Sequence, residues 1–424
     1  IQVFPEDTLD QYALLLGALV GTVYDRYGED TYSCSTRNLA VAHVATETTF
    51  DIKSQVQRFL LVFLYLSWEG ESWKRSDGWL STEPECTWYG VSCRNGEVTG
   101  LKFSNNNMVG TLVREVYFLE SLEVFVVEDD ALSSKLIRGQ LLPEIGLLTQ
   151  LKIFTGAFGL SGTLPTEIGQ ATLLEKFQLH SKSTLIEGTI PTEFGMLTRM
   201  EALKLFAMYL DGSVPSEIGM LTNLESLDLA SNYLVGEIPS QLHSLSMLTS
   251  LEISDNQFTG TVPDISSFPD IIEFSIGRNQ FISGSSLDVL WNFTNLVRVG
   301  LRNAGMQGSI PEGALGSLTN LEHLDLKNNR VDGTLPTTIG RLSRLEYLRL
   351  EKTNVYGTIP SELGLCSSLS ILHLAQNRFS GVVPTELLEI PNLGKLQHRI
   401  PACWMPASLM SCFSQMKCSC TQII

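Results

Sequence analysis

Leu221-Thr-Asn-Leu224-Glu-Ser-Leu227-Asp-Leu229-Ala-Ser-Asn232-Tyr-Leu234-Val-Gly236-Glu-Ile238-Pro239 is one unit of a repeat that organises most of the chain. Alternation about Leu227 and Leu229 predicts a short strand with one face buried. Asn232 follows, where the chain turns away from that strand, and its amide can bond unpaired backbone groups. Gly236 permits a backbone conformation that a side chain forbids. Pro239 has no N–H to donate, so the Ile238-Pro239 step suits a short edge strand or an extended turn.

Working outward, the first residue of each apolar-x-apolar pair falls at Leu101, Phe125, Phe154, Phe177, Leu203, Leu227, Leu251, Phe274, Val299, Leu324, Leu348, Leu372 and Leu396. The steps are 24, 29, 23, 26, 24, 24, 23, 25, 25, 24, 24 and 24 residues. Asn106, Asn256, Asn279, Asn329 and Asn377 occupy the place of Asn232, so stacked units would form an asparagine ladder. The apolar-Pro step recurs ten times, as at Val262-Pro263, Ile310-Pro311 and Ile359-Pro360. No unit can bury its own leucine face. Thirteen stacked at roughly 4.7–4.9 Å per strand can, over an arc on the order of 60 Å. Insertions at Ser133–Arg138 and near Ser183–Glu187, and a unit without its proline at Phe281–Leu287, read either as binding loops or as neutral length variation.

With Asn, Gly and Pro in phase, the pattern resembles the plant-type leucine-rich repeat over about residues 86–397. The resemblance implies an α/β fold: a curved, right-handed solenoid of about 13 repeats, with a parallel sheet on its concave face and a helical N-terminal cap. Ile52, Val56, Phe59, Leu60, Phe63 and Leu64 lie at helical spacing and predict an amphipathic helix to about Leu66. Cys86-Thr-Trp88-Tyr-Gly90-Val-Ser-Cys93 then looks like the cap of plant and microalgal members. By that likeness Cys86 and Cys93 are disulfide-bonded and Trp88 packs over the bridge. The implied organisation is an N-terminal helical extension (1–48), a disulfide-bonded cap (49–97), the solenoid (98–397) and a Cys-rich C-terminal cap (398–424).

In the extension, Thr8-Leu-Asp-Gln11 reads as a capping box that starts a helix to about Val20, and 28–37 reads as a loop. Cys403, Cys412, Cys418 and Cys420 crowd the end at spacings that fit no standard zinc set, so disulfides are expected there rather than a metal. Cys366 takes the first leucine position of its repeat and is expected to be a buried free thiol. With Cys34, an odd number of cysteines remains. The one N-x-[ST] sequon, Asn292-Phe-Thr294, makes Asn292 the glycosylation candidate.

The 424 residues carry a net charge of -17, which disfavours nucleic acid and anionic membrane surfaces as partners. The longest apolar run, Phe59–Leu66, is eight residues, so no membrane span is expected within this chain. The start at Ile1 reads as a processed protein or a fragment, with any leader or anchor lying upstream. No phosphate loop, HExxH, GxSxG or kinase signature occurs, so neither an enzyme nor a cofactor is expected.

Side chains flanking the strand apolar residues, such as Ser226, Asp228 and Ala230, should face the concave surface. From Leu205 to Gly277 there are ten acids and no Lys or Arg; from Arg278 to Lys352 there are nine bases and seven acids. Arg278, Arg298, Arg302, Lys327, Arg349 and Lys352, with His323 and Tyr347, form the candidate ligand site. Arg forks match carboxylate and sulfate geometry. The face can equally be solvated and self-paired, since Asp325 and Glu351 lie in register to neutralise Lys327 and Arg349. Asp228, Glu252 and Asp255 read as solvated acids or as oxygen ligands for Ca2+.

The resemblance implies an extracellular recognition module that binds a peptide, protein or glycan on the concave face, as a secreted protein or a cell-surface ectodomain. Since the chain carries no kinase signature, signalling would go through a co-receptor or a further region. A structural cell-surface or cell-wall adhesion protein and a secreted hydrolase inhibitor are the alternatives.

Overall fold

The computed structural model describes residues 52–128, 137–179, 185–281 and 284–393. The expected helix to Val20, the 28–37 loop, Cys34, the thirteenth repeat at Leu396 and the four C-terminal cysteines lie outside the described residues. So do 133–136 and 183–184 of the two insertions, and 282–283. The chain divides into two compact units, Ile1–Asp211 and Gly212–Ile424.

In the first unit the main-sheet strands are Glu97–Ser104, Val124–Glu128, Ile153–Gly156, Lys176–Leu179 and Ala202–Leu205. They pair in parallel and in register, with Leu101, Phe125, Phe154, Phe177 and Leu203 aligned on the buried side. Val91–Arg94 adds an antiparallel strand against Glu97–Ser104, which the repeat pattern did not foretell. A hairpin so short lets the cap extend the sheet without a crossover. The residues Ile137–Arg138 and Leu185–Glu187, read as insertion, lie in the short strands Ile137–Gln140 and Leu185–Gly188 of a second parallel sheet.

The predicted helix spans Ile52–Ser67. It differs from an amphipathic surface helix in being buried nearly all round from Arg58 to Tyr65, because it packs against the strand Glu97–Ser104 and the turn Arg114–Phe118. Arg58 is fully buried, donates to Glu85 at 3.0 Å and lies 5.1 Å over the Trp88 ring. A buried guanidinium is tolerated only when paired in this way. Cys86 and Cys93 are disulfide-bonded, with Cα atoms 5.5 Å apart. Trp88 packs on Trp79 at 5.0 Å between ring centroids. Trp68, Trp73, Trp79 and Trp88 all donate their indole N–H to backbone carbonyls, which removes the penalty of burying four polar groups.

In the second unit the main-sheet strands are Ser226–Asp228, Ser250–Glu252, Glu273–Ser275, Arg298–Gly300, His323–Asp325, Tyr347–Arg349 and Ile371–His373. All pair in parallel. Leu221, Leu224, Leu227, Leu229 and Leu234 of the quoted unit are all buried, as is Leu242 of the turn that follows it. Each is worth roughly 1.5–3 kcal/mol relative to exposure, and no coil could collect that gain alone.

The asparagine ladder forms as expected in this unit, whereas Asn106, expected to belong to it, exchanges two hydrogen bonds with the Arg75 backbone of the cap. Asn256 donates to the carbonyls of Leu229 (2.9 Å) and Ile253 (3.3 Å), and accepts from the Leu234 N–H at 3.1 Å. Where one rung is Ala304, Asn329 of the next coil accepts from the N–H groups of both Ala304 and Met306. Three residues after each strand comes a non-glycine residue of positive φ: Ser231, Asp255, Arg278, Asn303, Asn328, Lys352 and Gln376, with φ of 54–58°. The proline does not extend an edge strand. It caps a 3-10 turn, as Pro215 does for Ser216–Met220 and Pro360 for Ser361–Leu365. Cys366 is the buried free thiol expected, donating to the Ile339 carbonyl at 3.3 Å, and burial pushes it up to about 11.

Candidate functional site

Strand alternation sends the first and third residues of each strand of the second unit out of the core. Register converts them into rows. One row reads Ser226, Ser250, Glu273, Arg298, His323, Tyr347, Ile371. The next reads Asp228, Glu252, Ser275, Gly300, Asp325, Arg349, His373. Two residues further along the chain from the second row come Gly277, Arg302, Lys327 and Glu351, followed at the turn by Arg278, Asn303, Asn328 and Lys352.

The eight candidate residues thus fall on adjacent coils. Arg298, His323 and Tyr347 are consecutive in one row, and the His323 ring stacks on Tyr347 at 5.8 Å. The Arg349 guanidinium lies 5.0 Å over the Tyr347 ring, a cation–π contact that fixes the phenol. Arg278 and Lys352 stand apart from these, on the left-handed turn that follows their strands.

Charge pairing divides the cations. Arg278 binds Asp255 at 2.7 Å, and Arg298 binds Glu273 and lies 3.9 Å from Glu322. Lys327 donates to Glu351 at 2.6 Å, and Arg349 donates to Asp325 at 3.2 Å. Among the described residues, neither Arg302 nor Lys352 makes an ion pair. Arg298 and Gly300 open and close their strand, whereas Arg302, read from the sequence as on the same strand, lies in the turn two residues past it, so the two guanidinium groups stand on either side of a position without a side chain in chain order. A Cβ at Gly300 would lie 2.5 Å from Ser275 Oγ, so a side chain there would force the Ser275 hydroxyl to turn aside.

Burial pushes Asp325 up, against the Lys327 N–H and the charge of Arg349. It also pushes Tyr347 up, so the phenol stays a hydrogen-bond donor. At Glu351 burial works upward too, but the bond from Lys327 and the charges around it hold the carboxyl below the usual range. Among the acids to the other side, burial pushes Glu252 up to about 7, helped by Asp228 and Glu273 and opposed by the Ser275 hydroxyl and Arg298. No cluster of three or more His, Cys, Asp or Glu arranged to hold a metal occurs among the described residues.

Sequence reasoning missed His373. It accepts from Arg349 Nε at 3.2 Å and borders Tyr347 at 6.4 Å. Its place one strand beyond Arg349 was the available signal. Asn292 is exposed, in the turn before Arg298.

Comparisons place this geometry. Residues 223–245, 247–268 and 320–342 match the Leucine Rich Repeat family profile. No curated protein matches the chain in sequence. Among solved structures, the Arabidopsis receptor kinase HAESA ectodomain with an N-terminally extended IDA peptide hormone ligand is similar, at 29% identity and TM-score 0.61. That match covers 74% of this chain and 56% of the other. HAESA with IDA and the co-receptor SERK1 matches at 26% identity and TM-score 0.59, covering 74% and 56%. A TDR receptor matches at 28% identity and TM-score 0.57, covering 67% and 48%. The chain spans about half the length of these receptor chains.

Proposed function

We propose that this chain, a leucine-rich repeat protein of the plant type, is an extracellular recognition module that takes a peptide along the outward main-sheet face of its second unit. The peptide's anionic group meets Arg298 and Arg302 across Gly300, and an apolar or aromatic residue lies on Tyr347 and His323. The observation that carries this reading is Arg302: it is a partly exposed guanidinium without an ion pair among the described residues, beside a bare glycine floor and next to an aromatic row. Arg presents a planar fork to carboxylate or sulfate. A rigid sheet offering side chains in fixed register binds with little backbone change. Structures of the similar HAESA ectodomain with the peptide hormone IDA, and with the co-receptor SERK1, support a peptide ligand and a co-receptor partner. Protein or glycan ligands would use the same donors.

The test is capture from a pool of synthetic acidic and neutral peptides by immobilised wild type and by the R298E/R302E double variant. Retention of acidic peptides by the wild type and at least a tenfold loss in the variant are expected. Equal retention by both rejects the site.

A second reading, a structural surface or wall protein, draws support from the ion pairs that already neutralise Arg278, Arg298, Lys327 and Arg349. It expects no selective retention of any peptide.

A further inference from the structure

We propose that Asn292 carries an N-linked glycan and that this sugar occupies the flank of the second unit formed by the 3-10 turns, leaving the main-sheet face open. The inference rests on the extracellular reading above and adds to it a modification and a blocked surface.

Three observations carry it. Asn292-Phe-Thr294 has the acceptor pattern, and both Asn292 and Thr294 are exposed. Nothing among the described residues bonds the Asn292 side chain, whereas the ladder asparagines bury theirs and spend every donor on backbone. The third observation concerns the neighbours. The Phe268 N–H bonds Ile265, the Phe293 N–H bonds Leu290 and the Leu318 N–H bonds Leu315. The residues just before, Ser267, Asn292 and Ser317, therefore hold one position in three successive coils. Each also lies six residues before a main strand that is paired in register with the next, at Glu273, Arg298 and His323.

Elsewhere in the second unit that position holds Met220, 55% exposed, Ser244, Arg341 and Leu365, 64% exposed. On both sides of Asn292 it holds serine. Ser317 folds its hydroxyl back onto the Ala314 carbonyl at 2.6 Å, which keeps its bulk low. A branched sugar rooted at Asn292 thus has short side chains beside it on both adjacent coils. The same coil is the one that lacks the repeat proline, and its turn Leu287–Leu290 is capped by Ser286 instead.

This placement decides a surface question. Along the unit the turn position reads Met220, Ser244, Ser267, Asn292, Ser317, Arg341 and Leu365, so a glycan at Asn292 covers a polar stretch of that flank. Arg298, Arg302 and Tyr347 lie on the other part of the coil and stay clear.

The test is expression of the full chain behind a signal peptide in a eukaryotic secretory host, with peptide mass mapping of the secreted protein. A glycosidase-sensitive mobility step is expected for wild type and for T294S, and its loss for N292Q and T294A. Alkylation of the same sample reads Cys86 and Cys93. An unmodified Asn292 with the disulfide formed overturns the glycan and leaves the extracellular reading standing. An unmodified Asn292 with both thiols free overturns both.

Discussion

Arg349 donates from Nε to Nδ1 of His373 at 3.2 Å, so that imidazole is neutral and carries its proton on Nε2. Protonation at Nδ1 would replace an acceptor with a second cation beside the guanidinium. Burial, with the charges of Arg349 and Lys327, therefore holds His373 below the ordinary value of 6.5, although Glu351 and Asp325 pull the other way. A histidine depressed in the fold binds its proton more readily when unfolded. Its contribution is intact above 6.5 and is lost as pH falls below it. An NMR titration of the His373 ring should give a midpoint below 6.5. A midpoint at or above that value contradicts the assigned hydrogen bond.

Glu252 behaves in the opposite sense. Its carboxyl is raised from 4.5 to about 7 in the fold. The unfolded chain ionises it first, so a stability penalty develops from about pH 4.5, grows to about pH 7 and then levels off. E252Q should raise stability at pH 8 by on the order of 1–3 kcal/mol and have little effect near pH 4. Chemical denaturation at both values checks it, and a variant equally stabilised at the two would refute the buried-charge account.

Asn256→Ala removes donors to two buried carbonyls and the acceptor of the Leu234 N–H. Leaving those groups without partners should cost about 2–4 kcal/mol. Urea denaturation measures it. A loss within experimental scatter would mean that water replaces the ladder.

Replacing Cys86 and Cys93 with serine opens a loop of short sequence separation next to the Arg58–Glu85 pair. The expected loss is about 2–3 kcal/mol. Thermal unfolding with and without reductant should show wild type falling to the variant's midpoint. Identical midpoints throughout would show that the tryptophan cluster alone holds this region.

The coil was legible because its signals are periodic and each has one physical job: Leu227 for the core, Asn232 for the turn carbonyls, Gly236 for a positive φ of 82°. The antiparallel strand Val91–Arg94 was not legible, because it occurs once and follows no period. The short helical turns at the prolines, 3-10 at most of them and α at Glu312–Leu315, were masked by the dual role of proline, which suits an extended step and a turn start alike. At the candidate site, alternation placed Arg298 and Arg302 on one face, and register foretold neutralisation of Lys327 and Arg349 by Asp325 and Glu351. The pairs Arg298–Glu273 and Arg278–Asp255 span successive strands, and Arg278 sits on a left-handed turn that composition does not announce. His373 escaped notice because its role depends on contact with Arg349 and not on any motif.

The central claim is that ligand lies on the main-sheet face of the second unit. Site-specific photo-crosslinking tests it most directly, with a photoreactive residue at position 275 or 371 of the outward rows, or at 356 on the short strand Tyr356–Thr358, and the peptide captured by wild type as the probe. The account predicts adducts from 275 and 371 and none from 356. Adducts from 356 alone would contradict it.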